Sequence, residues 1–285
     1  MSFPTPLVTR FAPSPTGLLH LGHAYSALFA SAAVRSNGRF LLRIEDIDRG
    51  RCRPEFETAL MEDLAWLGLE WERPPRRQSE HMDDYREAIG RLAARDLIYP
   101  CFCTRKEILA EIAGMGSAPH GPDGPLYPGT CRHLSGERRR RRLEEGDPFA
   151  LRLDIRRAIA ATGPLSWTDR GRGTVEAAPH IFGDVVLARK DTPASYHLAV
   201  SVDDHLQGVT LVCRGEDLFP STHVHRLLQA LLGLDTPEYH HHPLIAGEDG
   251  QRLAKRTHAP TLRSLREGGA TPEDIRRRLG FSGPG

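Results

Sequence analysis

Short apolar runs and helix-compatible stretches alternate at the start of the chain. Residues 7–11 have the composition of a short strand, and a loop that contains proline and glycine follows them. Small residues at 22–35 favour a helix with one apolar face, and the mostly apolar residues 40–44 are typical of a buried strand. This order of strand, loop, helix and strand predicts a βαβ unit, and therefore a parallel sheet with a right-handed crossover.

The rest of the pattern predicts an α/β core that is interrupted once. We predict helices at 55–67, 81–95 and 221–232, a core strand at 209–213 and two short helices within 261–281. Residues 98–135 break the pattern, because they are rich in glycine and proline, and such long irregular segments are usually functional or held by a metal. The predicted units are a nucleotide-binding core at 1–97 and 196–260, an insertion at 98–195 and a tail at 261–285.

The composition is that of an ordinary globular protein. The 285 residues include 38 basic and 37 acidic side chains, the net charge is +1, and 39% of the residues are hydrophobic. These values exclude a disordered, collagen-like or fibrous chain, and they restrict any RNA site to a local basic patch. Apolar runs fall short of the roughly 18 to 20 residues that cross a bilayer, and the N-terminus lacks a signal-peptide layout. We therefore expect a cytoplasmic protein that does not enter a membrane.

The spacing of the cysteines indicates a metal site. Three of the five cysteines, Cys101, Cys103 and Cys131, lie within 31 residues. In a protein that is not exported, this clustering favours metal binding over a disulfide framework. A close pair and a distant third thiolate match zinc spacing in part and leave one tetrahedral position. His133, two residues after the last of these cysteines, is an ordinary candidate for that position.

The first motif with chemical content runs from Phe11 to His23. A strand ends in a loop there, and His20-Leu-Gly-His23 begins a helix, whose unpaired N–H groups and partial positive charge suit a polyphosphate. Residues three apart share one helix face, so both imidazoles can point at the same phosphate. Gly22 between them allows a purine or ribose to approach the backbone.

The second motif is a basic loop at 251–257, preceded by Gly247 and Gly250. Arg252 and Lys255 on this loop can neutralise the charge on a leaving pyrophosphate. Together, the two motifs resemble the paired signatures of the class I aminoacyl-tRNA synthetases. The blocks at 10–17, 43–49, 202–210 and 214–218 narrow this resemblance to glutamyl-tRNA synthetases.

Two further features resemble a shorter branch of that family, the glutamyl-queuosine tRNA(Asp) synthetases. Only 30 residues follow Lys255, where a glutamyl-tRNA synthetase has an anticodon-binding region, and the pattern of Cys101, Cys103, Tyr127 and Cys131 matches the short branch. Within the second signature, Arg252 and Ala254 replace the usual Lys and Ser, so only Lys255 carries over in full.

The resemblance implies a Rossmann-like catalytic core with a zinc-stapled insertion and a short helical C-terminal tail, acting as a monomer. ATP, with Mg²⁺, would be bound by His20, Gly22, His23, Arg252 and Lys255, of which His20, His23 and Lys255 are catalytic. Glutamate would be bound by Arg10, Ala12, Ser14, Glu45, Tyr196 and Arg214. The arginines can read the γ-carboxylate, and Glu45 can hold the α-ammonium group. Structural zinc would be bound by Cys101, Cys103, Cys131 and Tyr127, with His133 as the rival to Tyr127.

The acceptor implied by the resemblance is queuosine in the anticodon loop of tRNA(Asp). Two alternatives stay open: a truncated glutamyl-tRNA synthetase that charges a tRNA 3′ end, and a non-catalytic RNA-binding paralogue. The arginine run 138–142 is also open, because it suits either tRNA phosphates or a solvated helix end.

Overall fold

The computed structural model describes residues 6–34, 38–114, 120–189, 192–245 and 260–281. Its strands are β1 (Val8–Phe11), β2 (Arg39–Ile44), β3 (Glu72–Arg77), β4 (Ile98–Cys101), β5 (His120–Gly121), β6 (Gly124–Pro125), β7 (Ala150–Leu153), β8 (Ser166–Asp169), β9 (Gly173–Glu176), β10 (Val186–Arg189), β11 (Leu211–Gly215) and β12 (Glu238–His242). Its α-helices are α1 (Leu21–Ala33), α2 (Pro54–Trp66), α3 (Met82–Ala93), α4 (Arg105–Gly114), α5 (Gly136–Glu144), α6 (Ile155–Thr162), α7 (Tyr196–Leu206), α8 (Ser221–Leu232), α9 (Leu262–Glu267) and α10 (Pro272–Arg278).

A parallel sheet lies at the centre of the fold. β2 pairs in parallel with β1 and β3, and β12 pairs in parallel with β11 and β8. The two groups of strands meet between β1 and β11, where the Thr210 N–H donates to the Val8 carbonyl at 3.0 Å. The resulting order is β3-β2-β1-β11-β12-β8. Because the chain winds outward in both directions from β1 and β11, a crevice is expected at the carboxyl ends of these two strands.

Side chains of β2 alternate between the two faces of this sheet. Phe40 and Leu42 pack with α1, α2 and the tail helices, whereas Arg43 forms ion pairs with carboxylates of α7. The buried side chains of Leu262 and Ile275 join α9 and α10 to the same core as α1 and α2. Helices therefore cover both faces of the sheet, as the predicted α/β fold requires.

Most predicted elements are confirmed. β1, α1 and β2 form the predicted βαβ unit, and α2, α3 and α8 lie within two residues of their predicted bounds. The two tail helices are also present. Strand β3 was not predicted, because its sequence, Glu-Arg-Pro-Pro-Arg-Arg, has no β-branched or aromatic residue. Its prolines are tolerated because the strand lies at a sheet edge.

The segment predicted as an insertion has structure of its own. β4, β7 and β10 form an antiparallel sheet, and β5 and β6 form a short hairpin. We expected irregular structure throughout 98–135, but residues 105–114 form helix α4. This part of the segment contains the helix-favouring residues Glu, Leu and Ala before its first glycine. Residues 166–176 extend the central sheet, since β8 pairs with β12 and β9 pairs with β8. In the described part of the chain, no helix combines the length and apolar character needed to cross a membrane.

Candidate active site

A cavity of about 560 Å³ opens at the carboxyl ends of β1, β2 and β11. It brings together every described residue that the sequence predicted for ATP or glutamate, namely Arg10, Ala12, Ser14, His20, Gly22, His23, Glu45, Tyr196 and Arg214. The loop after β1 is held in place by the Glu45 N–H, which donates to the Pro13 carbonyl at 3.0 Å. Residues separated by as many as 204 positions in the chain, Arg10 and Arg214, therefore share one crevice at the expected place in the sheet.

The two histidines of the first motif cap helix α1. The Gly22 N–H donates to Nδ1 of His20 at 3.1 Å, and the His20 N–H donates to Nδ1 of His23 at 3.2 Å. The two ring centroids lie 3.8 Å apart. Because both Nδ1 atoms accept, each neutral imidazole has its proton on Nε2, where it is a donor. Two adjacent donors at a helix N-terminus suit phosphate oxygens.

The second motif, with Arg252 and Lys255, lies outside the described residues. The described residues on either side of it lie at the same site. Ile245 lines the cavity, and Thr261 forms a β-bridge with His20, next to the Leu262 N–H that donates to the Leu19 carbonyl at 2.8 Å. The chain thus leaves and returns beside the first motif.

A network of buried charges lies beneath the cavity. The Arg43 side chain is 0% exposed, and its guanidinium lies 2.8 Å from Asp204, 3.8 Å from Asp203 and 3.6 Å from Glu45. Nε of Arg10 also donates to Asp204, at 3.0 Å. Burial opposes the charge of Arg43, but the three carboxylates outweigh it and raise its pKa further. Of these residues, Arg43, Asp203 and Asp204 were not predicted as site residues, although all three lie in the sequence blocks that carried the resemblance.

Glu45 lies at the cavity wall, and one of its carboxylate oxygens accepts no hydrogen bond from the described residues. Its side chain is 10% exposed, and Oε1 has no hydrogen-bond partner among the described residues. Burial raises the pKa of Glu45 to about 7, although Arg43 and Arg10 oppose this rise. A buried carboxylate with an oxygen that accepts no hydrogen bond is a suitable partner for an ammonium group.

Arg214 is the complementary case, a buried cation without a carboxylate. It is 5% exposed, and its partners are neutral: Thr222 Oγ1 at 2.6 Å, Nε2 of His241 at 3.1 Å, Nδ1 of His225 at 3.2 Å and the Tyr196 hydroxyl at 3.2 Å. Across the ranges that the structure describes, no carboxylate lies within ion-pair distance of it. Since a buried charge without a counter-ion is costly, this guanidinium is prepared for an anion that enters the cavity.

A second cavity, of about 550 Å³, adjoins the first. Ser14, Glu45 and Tyr196 line both, so the two spaces meet at the predicted glutamate position. The second cavity extends to Asp123 and Tyr127 in the segment predicted as the insertion. It offers room for a second substrate next to the first.

The predicted metal residues also lie together. Sγ atoms of Cys101, Cys103 and Cys131 all lie within 4.8 Å of one another, and the Tyr127 hydroxyl lies 3.5 Å from Sγ of Cys103. The Cys131 sulfur accepts the Phe102 N–H at 3.3 Å, and its hydrogen bond with Cys101 lowers its pKa to about 6. Three thiols lie around one point, and the sulfur of Cys131 is a hydrogen-bond acceptor there. This arrangement fits a metal bound by thiolates.

Other residues considered for the metal and RNA sites lie elsewhere. His133 is exposed and does not join the group of thiols. Cys213 is buried in the core, away from the group of thiols. The arginine run lies on α5, where Arg140 and Arg141 pair with Glu144 and Glu145.

Comparison with known proteins extends these observations. Residues 6–283 match the family model described as tRNA synthetases class I (E and Q), catalytic domain. The chain is 50% identical to a Glutamyl-Q tRNA(Asp) synthetase of Rhodobacter capsulatus over 96% of this chain and 100% of that protein. It is 44% identical to a protein of the same name from Symbiobacterium thermophilum, over 96% of this chain and 86% of that one.

Longer proteins match over part of their length. A Glutamate--tRNA ligase of Aquifex aeolicus is 41% identical over 94% of this chain and 55% of its own length. A crystal structure of a glutamate tRNA ligase from Elizabethkingia meningosepticum, in complex with its amino acid, has a TM-score of 0.80 and 30% identity. That comparison covers 97% of this chain and 61% of the other.

Proposed function

We propose that this chain, which belongs to the family of class I tRNA synthetases for glutamate and glutamine, activates L-glutamate with ATP and transfers it to queuosine of tRNA(Asp). The chain is a ligase of the aminoacyl-tRNA synthetase type. The observation that carries the choice of glutamate is a pair of incompletely compensated charges at one cavity. Among the described residues, no carboxylate pairs with Arg214, and Oε1 of Glu45 accepts no hydrogen bond. An α-amino acid with an acidic side chain satisfies both.

Activation of glutamate requires the protein to position the reactants and to neutralise the charge of the phosphates. An oxygen of the glutamate α-carboxylate attacks the α-phosphorus of ATP, an O–P bond forms, and the bond to pyrophosphate breaks. Nε2–H groups of His20 and His23 donate to phosphate oxygens, and Lys255 adds a cation there. Mg²⁺ would enter with ATP and would supply positive charge that offsets the charge of the phosphates. In such a site, preorganised donors lower the barrier because they do not have to reorient during the reaction.

Selection of glutamate would rest on the two arginines of the cavity. Arg214 binds the γ-carboxylate, Tyr196 and Ser14 add hydrogen bonds, and Arg10 contributes positive charge although it also pairs with Asp204. Glutamine has the same shape, but its neutral amide leaves the buried guanidinium poorly paired. Glutamate is therefore preferred over glutamine by charge.

Queuosine as the acceptor is supported by two relatives, 50% and 44% identical, that carry the name Glutamyl-Q tRNA(Asp) synthetase. A queuosine hydroxyl would attack the carbonyl carbon of the glutamyl-adenylate and release AMP. The adjoining cavity of about 550 Å³ leaves room for this nucleoside beside Glu45 and Tyr196. The proposed reaction on tRNA supports the predicted cytoplasmic location, and the monomeric state stays a prediction.

Zinc would be bound by Cys101, Cys103, Cys131 and Tyr127, because the phenol lies against the thiols whereas His133 is exposed. Its role would be structural, since it joins β4 to the turn at Thr130–His133. Metal analysis of the purified protein is expected to return one zinc per chain.

The deciding experiment has two stages. Glutamate-dependent exchange of labelled pyrophosphate into ATP, with and without tRNA, tests activation. Labelled glutamate is then offered with tRNA(Asp) that carries queuosine, and tRNA(Asp) with unmodified guanosine is the matched control. We expect label in the anticodon fragment of the modified tRNA alone. Label at the 3′ end of tRNA(Glu) would identify a truncated glutamyl-tRNA synthetase, and no exchange at all would favour a binding module.

A further inference from the structure

A buried chain of hydrogen bonds leads from Arg214 away from the cavity. Nε of Arg214 donates to Nε2 of His241 at 3.1 Å, and Nδ1 of His241 lies 2.6 Å from Oδ2 of Asp169. The side chains of His241 and Asp169 are both 0% exposed. Three neighbouring strands supply the three residues, and the parallel register places Arg214 directly opposite His241. The pairing of these strands in the sheet therefore positions the three hydrogen-bonded side chains.

The direction of each hydrogen bond follows from arginine chemistry. A guanidinium only donates, so Nε2 of His241 accepts, and the neutral ring has its proton on Nδ1. That proton is donated to Asp169. Burial and the neighbouring Arg214 lower the pKa of His241 to about 4, so the ring stays neutral at neutral pH. Asp169 also accepts the Gly171 N–H at 2.9 Å, which fixes the carboxylate at the end of β8.

Aromatic rings surround His241 and limit the space around its imidazole. The Tyr239 ring is parallel to the imidazole, with 5.9 Å between the ring centroids. Trp167 and Phe219 meet the imidazole edge-on, with centroid distances of 5.8 Å and 5.1 Å. The imidazole is held in one orientation, and its lone pair sets the position of the guanidinium. Asp169 supplies negative charge to Arg214 through this ring without occupying the anion site.

We propose that Asp169 and His241 are positioning residues that hold Arg214 in the orientation that selects glutamate over glutamine. The inference rests on the proposed function, because it deepens the role given to Arg214 there. A carboxylate of the protein placed directly on Arg214 would compete with the substrate. A neutral acceptor backed by a distant carboxylate orients the cation and leaves its charge for the ligand.

The test compares variants in glutamate-dependent pyrophosphate exchange with tRNA present. His241→Leu removes the acceptor, and it is expected to raise the KM for glutamate about 10- to 100-fold and to lower the preference for glutamate over glutamine at least about tenfold. The KM for ATP is expected to change less than about twofold. Asp169→Asn is expected to shift the same two quantities in the same direction. His241→Gln keeps one acceptor and one donor, and it is expected to restore most of the glutamate affinity.

Asp235→Asn is the matched control, because the exposed His205–Asp235 pair has the same contact, at 2.9 Å, without an arginine attached. Melting curves show which variants fold. Folded His241→Leu and Asp169→Asn proteins that keep wild-type KM and selectivity would overturn the inference, as would equal losses for glutamate and ATP or a Gln variant as impaired as the Leu variant. A wild type without glutamate-dependent exchange refutes the proposed function as well, whereas an active wild type with unaffected variants refutes this inference alone.

Discussion

Glu45→Gln is expected to weaken the enzyme and stabilise the protein at the same time. The substitution keeps the volume of the side chain and removes its charge. Glu45 is 10% exposed, its Oε1 has no hydrogen-bond partner among the described residues, and burial raises its pKa from 4.5 to about 7. A tenfold change in proton affinity is worth about 1.4 kcal/mol, so this carboxylate costs the folded state about 3 kcal/mol when it is ionised.

The destabilisation caused by ionised Glu45 increases as the pH rises. The folded protein holds the Glu45 proton more tightly than the unfolded chain, so ionisation of Glu45 destabilises the fold as the pH rises from about 4.5 to about 7. Glu45→Gln removes the charge and with it the penalty. We expect the variant to gain about 3 kcal/mol in apparent free energy of unfolding at pH 8 and almost nothing at pH 4.5.

The same substitution is expected to weaken the binding of glutamate. A buried carboxylate that binds an ammonium group contributes roughly 2–3 kcal/mol, so the KM for glutamate is expected to rise about 100-fold in pyrophosphate exchange at pH 8. The KM for ATP is expected to stay within about twofold. Glu72→Gln serves as the control, because Glu72 forms an exposed ion pair with Arg39 far from the cavity. A Glu45→Gln protein that is less stable than wild type at pH 8, or that keeps its KM for glutamate, would refute the reasoning.

Three further predictions concern the other parts of the site. Arg214→Lys is expected to raise the KM for glutamate about 10- to 100-fold, because lysine cannot reproduce the planar set of donors; an unchanged KM in the exchange assay would contradict this. His23→Ala is expected to lower kcat for exchange by about 10²- to 10³-fold with little change in the KM for glutamate, and a selective loss of glutamate binding would argue against a phosphate role. Cys103→Ser is expected to lose zinc in metal analysis and to lower the melting temperature, whereas Cys213→Ser keeps the metal; equal zinc in both proteins would exclude the predicted site.

Local signals along the chain were sufficient for much of the architecture. The βαβ unit, the helices α2, α3 and α8, and the tail helices all follow from apolar periodicity and helix-ending residues, which act over a few positions. The candidate residues of the cavity were also predictable from the family resemblance, and all of them except Tyr196 lie in the motifs and sequence blocks that carry it. Strand β3 was missed, because a polar edge strand is determined by its neighbour β2 and not by its own sequence.

Only the tertiary structure determined which of these charged residues have a counter-ion within the protein. Arg10 and Arg214 looked equivalent in the sequence, but folding places Asp204 against Arg10 and only neutral groups against Arg214. The register of β11 with β12 puts His241 beside Arg214, a neighbour that the sequence around residue 241 does not reveal. A sequence determines which groups are present and how each segment folds locally. Which charge is compensated and which remains for a ligand depends on residues far apart in the chain, because desolvation and ion pairing act over a few ångströms in space.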